Sequence, residues 1–248
     1  MTKRFFILSA VSVFMLTSCD VLMQTAANLL IPTNDEIIAG LKEALANGVQ
    51  KGTGNLNKKG AFANTALKIL LPPEVRSLEA KIRGNAILNA AVGGQLDKTI
   101  AAMNEGAENA MAKAVPIFKN AVSKMSFADA MGILKGGDGA ATRYFKSTTT
   151  DTLQASFKPI IKTALDEVKL AEFWSPVVKE LNKPLSKTVL GLKTDINPDL
   201  NQYVTELATV ALFGEIEKQE NAIRNNTAER STALLKKVFD YADTQKRL

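Results

Sequence analysis

Beyond Cys19 no stretch of this chain alternates apolar and polar residues long enough to make a convincing strand. Apolar residues instead recur at spacings of three and four. That periodicity limits the fold more than any other feature and implies an all-α class: a single multi-helix, bundle-like domain. Residues 32–36 read as a helix start, a cap followed by acids, after which Ile37, Ile38, Leu41, Ala44, Leu45 and Val49 share a face. Residues 52–60, rich in Gly and Asn, read as a loop. Residues 63–71 read as a short helix stopped by Pro72 and Pro73, and 74–83 as another. Residues 95–124 are the longest periodic stretch, with a kink or break expected at Pro116. Ser126 to Asp129 resemble a capping box that opens a helix ending at Gly136 and Gly137. Helical patterns follow at 139–146, 151–168 and 171–181. Residues 183–198 read as a long connection with an extended stretch at 188–193. Residues 199–225 are a long helix, and Thr227 caps a last one reaching about Gln245.

The apolar fraction of 46% and charged fraction of 23% suit a chain that buries a core. The absence of His excludes any mechanism that needs an imidazole base or ligand. A single Cys excludes disulfide frameworks and cysteine zinc sites. For metals only carboxylates and carbonyls remain, with no calcium loop of the EF-hand pattern, so neither a metal nor a cofactor is expected.

The N-terminus reads as an address. Lys3 and Arg4 precede an apolar run at residues 5–16, too short to span a bilayer comfortably and of signal-peptide length. Leu16-Thr17-Ser18-Cys19 follows and resembles the lipobox of bacterial lipoproteins, in which the Cys is acylated, for example with palmitate, and becomes the mature N-terminus. The expected organisation is a signal peptide at 1–18, a lipidated Cys19 and tether at 19–34, and an all-α domain at 35–248. Two or more acyl chains anchor stably where one does not. Loss of Lys3 and Arg4 with the leader lowers the net charge from +6 to +4. That mild excess suits an acidic membrane surface but is too dispersed for nucleic acid. The expected location is the bacterial cell envelope, tethered to a membrane, with the outer membrane favoured.

Several segments carry a family resemblance: Gly40 to Leu45, Lys68 to Pro72, Met125 to Ala130 with Ile133 to Gly136, Ala140 to Phe145, Tyr203 to Thr205, Ile223-Arg224, and Arg230 to Phe239. In this order they resemble the uncharacterised bacterial envelope proteins of domain-of-unknown-function family 4197. Ser126 and Ser231 stand where the family pattern has Thr, and Gln219-Glu220 where it has two acids. The resemblance implies a helical envelope protein, often a lipoprotein, and brings no catalytic residues.

Three groups of residues are candidate sites. Gly136 to Thr142 is a glycine-rich turn before a helix, able to offer backbone N–H groups to an anion. It lacks the Gly-Lys-Ser/Thr of a phosphate loop, and Asp138 would repel a phosphate. The simpler reading makes Gly136 a C-cap and Asp138 the N-cap of the next helix. Glu217, Glu220 and Arg224 share a helix face, with Arg230 just across a corner. They suit a structural ion network or a polar pocket. Arg143 and Tyr144, beside Phe145 and Lys146, suit stacking on a ligand, although a core-facing role is the default.

No Gly-x-Ser-x-Gly is present, and the Ser-Lys pairs are adjacent rather than facing. The expectation is therefore a non-enzymatic module, bound to the membrane through its acyl chains, that binds a lipid, a cell-wall component or a protein partner, or acts as a scaffold. The alternative is a carboxylate hydrolase of envelope glycans. It needs two acids facing each other in one cleft and loses its support if Glu217 and Glu220 are exposed or fully paired with Arg.

Overall fold

The computed structural model describes residues 31–126 and 128–245. The expected signal peptide, Cys19 and most of the expected tether lie outside the described residues, as does Phe127. Four long helices carry the fold: α1 (Asn34–Leu56), α5 (Gly94–Lys124), α7 (Ala140–Glu167) and α10 (Asn201–Asn225). Between them lie α2 (Pro73–Arg76), α3 (Glu79–Gly84), α4 (Ala86–Leu88), α6 (Ala130–Lys135), α8 (Leu170–Leu181) and α9 (Pro184–Leu190), and α11 (Ala233–Gln245) closes the chain. Among the described residues there is no β-strand.

The long helices form a ring in which α1 packs on α5, α5 on α7, α7 on α10 and α10 back on α1. Each neighbour runs antiparallel to the last. Lys42 near the start of α1 reaches Ser123 near the end of α5, Leu165 late in α7 lies over Gly106 in α5, and Phe145 early in α7 meets Phe213 in α10. The result is an up-down-up-down bundle whose long connections carry the short helices. Its centre is aromatic: Phe118 meets Phe157 and Phe213 edge to face at 6.0 and 6.1 Å, and Phe213 meets Phe145 at 5.5 Å. At one end α6 and α11 pack on the start of α1; at the other, α8 packs on α5 and α9 on α8.

The expected start of α1 is present in full. Thr33 accepts from the Glu36 N–H, and Glu36 Oε2 accepts from the Thr33 N–H at 2.7 Å, closing a capping box. Its end differs from expectation, because the helix continues through Gly52 and Gly54 to Leu56. The reason is tertiary. A Cβ on Gly48 would lie 3.0 Å from the Ile216 backbone, and one on Gly52 would lie 2.9 Å from Glu215, so these glycines let α1 approach α10 closely. Packing thus outweighs the low helix propensity of Gly.

Other expectations need similar correction. Residues 63–71 are not a helix. Turns lead into an extended segment where Ile69 and Leu71 are buried and Leu70 faces out. Pro72 disfavours helical backbone at Leu71, and the Asn104 amide holds Ile69 from both sides, accepting its N–H at 2.9 Å and donating to its carbonyl at 2.8 Å. Residues 74–83 form two short helices rather than one. The α5 helix runs unbroken through Pro116, and the patterns at 139–146 and 151–168 belong to one helix, Ala140–Glu167, despite Pro159. The N-cap of α6 is Asp129, accepting from the Gly132 N–H at 2.7 Å, rather than Ser126. Residues 184–190 are helical, bounded by Pro184 at the first turn and by Gly191 at φ 73°. The last helix starts at Ala233, where Thr232 accepts from the Leu235 N–H; Thr227 instead opens a 3-10 turn (Thr227–Glu229).

Candidate functional site

The predicted site residues converge at the end of the bundle where α1 begins, α7 begins and α10 ends. Residues 136–139 form the turn between α6 and α7. Gly137 and Gly139 take φ of 75° and 68°, conformations that a side chain would strain. Gly139 is also confined from outside: a Cβ there would lie 2.5 Å from Glu217 Oε1 and 3.0 Å from Arg143 Nη1. Gly139, not Asp138, is the N-cap of α7, and it offers no side chain to the free N–H groups of the first turn.

Those groups are satisfied from α10. Glu220 Oε1 accepts the Ala141 N–H at 2.9 Å, and Oε2 accepts the Thr142 N–H at 2.7 Å and the Thr142 hydroxyl at 2.6 Å. Asn221 Oδ1 accepts the Gly139 N–H at 2.7 Å. The positive end of the α7 dipole thus faces a carboxylate supplied by the chain itself. The anion-binding capacity read from the glycine-rich turn is filled internally.

Glu220 is in turn held by Arg224, whose Nε donates to Oε1 at 2.8 Å; both side chains are shut off from solvent, at 0% and 1% exposure. Arg224 spends its other donors on the last carbonyls of α6, Leu134 at 2.7 Å and Ile133 at 3.2 Å, and its guanidinium lies 5.5 Å from the Phe239 ring of α11. Arg230, also buried, donates to the Ile223 and Arg224 carbonyls at 2.9 and 2.8 Å, closing the end of α10. Its remaining donors meet Asp240 and, at 2.7 Å, Asp243 on α11. One line of charges, Glu220–Arg224–Arg230, therefore terminates three helices and fastens a fourth. Buried charges require this degree of pairing.

The remaining predicted residues lie around it. Asp138 accepts from Asn225 Nδ2 at 2.9 Å through its carboxylate, and from Arg143 Nη1 at 2.6 Å through its carbonyl. Glu217 is half-buried beside Gly139. Tyr144 faces elsewhere. It is half-buried against the core, and its hydroxyl donates to the Ser126 carbonyl at 2.8 Å. Phe145 is fully buried, as the core-facing reading requires.

The sequence reading missed a second polar pair. Glu108 of α5, 6% exposed, accepts the Gly60 and Phe62 N–H groups at 3.0 Å each, while Asn104 one turn earlier holds Ile69. Together they fix the 57–72 connection to the bundle. The signal was present: Asn104 and Glu108 interrupt an otherwise apolar face of α5 at a spacing of four, where a polar residue needs a buried partner. An open groove of about 520 Å³ lies between this connection and α5, lined by Asn57, Asn64, Glu105, Glu108 and Asn109 among others. Among the described residues no group of three or more Cys, Asp and Glu residues is placed to hold a metal ion. No described helix is long and apolar enough to cross a membrane.

A family model described as "Protein of unknown function (DUF4197)" matches residues 31–240. No curated protein and no solved structure matches the chain.

Proposed function

The chain belongs to the DUF4197 family of proteins of unknown function, and on that premise we propose that it is a lipid-anchored protein of the bacterial envelope whose helical body is a non-enzymatic binding or scaffold module. The observation that carries the non-enzymatic reading is the state of the charged cluster. Glu220 has its two oxygens committed to three donors of α7 and to Arg224, at 0% exposure. A general acid or base must reach substrate, and this carboxylate cannot. Glu220 is thereby withdrawn from the Glu217–Glu220 pair on which the hydrolase alternative rests, and that alternative loses its support. The chemistry of the site instead maintains the relative placement of α6, α7, α10 and α11.

The anchor is supported by the sequence: the Lys3-Arg4 start, the apolar run at 5–16, and the chain's single Cys at position 19. Cys19→Ser should abolish incorporation of a labelled fatty acid and move the protein from the membrane pellet to the soluble fraction. A variant that is still labelled and still sediments would rule the anchor out.

A further inference from the structure

We propose that the groove beside α5 is a binding site for an uncharged glycan whose sugars carry acetamido groups. This gives the binding module its site and rests on that reading of the function. The floor and one wall are Ala101, Glu105 and Asn109, which follow one another along α5 at a spacing of four. The other wall is the connection after α1, with Asn57, Lys59 and Asn64. A second recess of about 280 Å³ shares Ala63, Asn64 and Ala101 with the first and extends it toward Lys68 and Asp97, so the two form one groove.

Two buried residues set the walls before any ligand arrives. Glu108 fixes the backbone at Gly60 and Phe62, and Asn104 fixes it at Ile69. The lining side chains are not spent in this way. Those of Asn57, Asn64, Glu105 and Asn109 have no hydrogen-bond or ion-pair partner among the described residues, although the fold gathers them from two separate segments.

The lining selects the ligand. Each of the three amides offers both donors and an acceptor, the complement of an acetamido group, and the Glu105 carboxylate accepts from hydroxyls. Charge is nearly balanced. Asp97 is matched by Arg83 at 2.6 Å and Glu108 by its two backbone N–H groups, which leaves Glu105 against Lys59 and Lys68. A densely charged ligand has no counterpart there. A peptide with large apolar side chains has none either, because the floor offers only Ala63, Ala101 and the half-buried Ile100. No aromatic ring is among the lining residues, so affinity rests on hydrogen bonds and is expected at about 1 mM.

The test uses isotope-labelled residues 20–248, which retain every described helix. Chitotetraose, a linear tetramer of N-acetylglucosamine, is titrated while the side-chain amide signals of Asn57, Asn64 and Asn109 are followed by nuclear magnetic resonance. These signals are expected to shift together, with little dependence on salt. Binding should be about ten-fold tighter than that of maltotetraose, which has hydroxyls and no amide, or of end-capped tetra-alanine, which has amides and no hydroxyl. Asn64→Ala with Asn109→Ala should weaken it about ten-fold at an unchanged melting temperature. Should that variant fail to fold, Glu105→Ala decides in its place. Unmoved signals, equal binding of either control, or full binding by a folded variant overturns the groove assignment and leaves the non-enzymatic reading standing. Displacement of the tetramer by calcium ion also overturns it, by revealing a cation site at Glu105. New reducing ends, from a tetramer shortened during the titration, would overturn both the assignment and the non-enzymatic reading.

Discussion

Glu220 accepts four hydrogen bonds while sealed from solvent, and Arg224 beside it has only that carboxylate as a counter-charge. Removing one charge of such a pair leaves the other buried and uncompensated, which costs about 3–5 kcal/mol. Glu220→Gln should therefore lower the unfolding free energy in urea by that amount. Glu220→Gln with Arg224→Met should lose less than the two single changes summed, because the double variant strands no charge. Additive losses would show that the pair does not act as a unit. The residues at 217–230 are legible in sequence as a charged helix face, because their spacing alone places them together. Their partners at 139–142 are not, since nothing local announces a contact across 78 or 79 positions.

At the scale of elements, local signals set most helix starts and tertiary contacts set several ends. The capping box at Thr33 and Glu36 was readable, and so were Pro184 and Gly191 flanking α9, although the lysines and glycine of that stretch read as a connection. The continuation of α1 through Gly52 was not, because it depends on the closeness of Glu215 and Leu212. The extended backbone at Ile69 depends likewise on Asn104. The α1 cap also reaches α11. Lys237 donates to Glu36 at 2.7 Å, and this bond, with the Thr33 N–H, holds the Glu36 carboxyl below its ordinary value of 4.5. A carboxyl lowered in the folded state stabilises above its unfolded value and loses that contribution as the pH falls through its folded one. Glu36→Gln should therefore melt below the parent near neutral pH, and the gap should close as the pH falls below 4.5 and through the lowered folded value. A gap that stays constant over that range would mean that Glu36 contributes nothing through its charge.

At the scale of the molecule, the two ends of the sequence complete one core. The start of α1 packs under α11, where a Cβ on Gly40 would meet Val238 at 2.9 Å, and Leu235, Val238 and Phe239 are buried. Ending the chain after Ser231 would uncover Ile37 and Leu41 and deprive Arg230 of Asp240 and Asp243. The expected result is loss of the cooperative thermal transition by circular dichroism. A sharp transition near the parent temperature would place α11 outside the cooperative unit. This long-range closure also sets a timetable. The first helix packs early on α5 but meets α10, against which it packs most, only when the final fifth of the chain has been synthesised, so one of its apolar faces stays open until then. A chain whose first helix is covered last holds its core open until the final helices have been made.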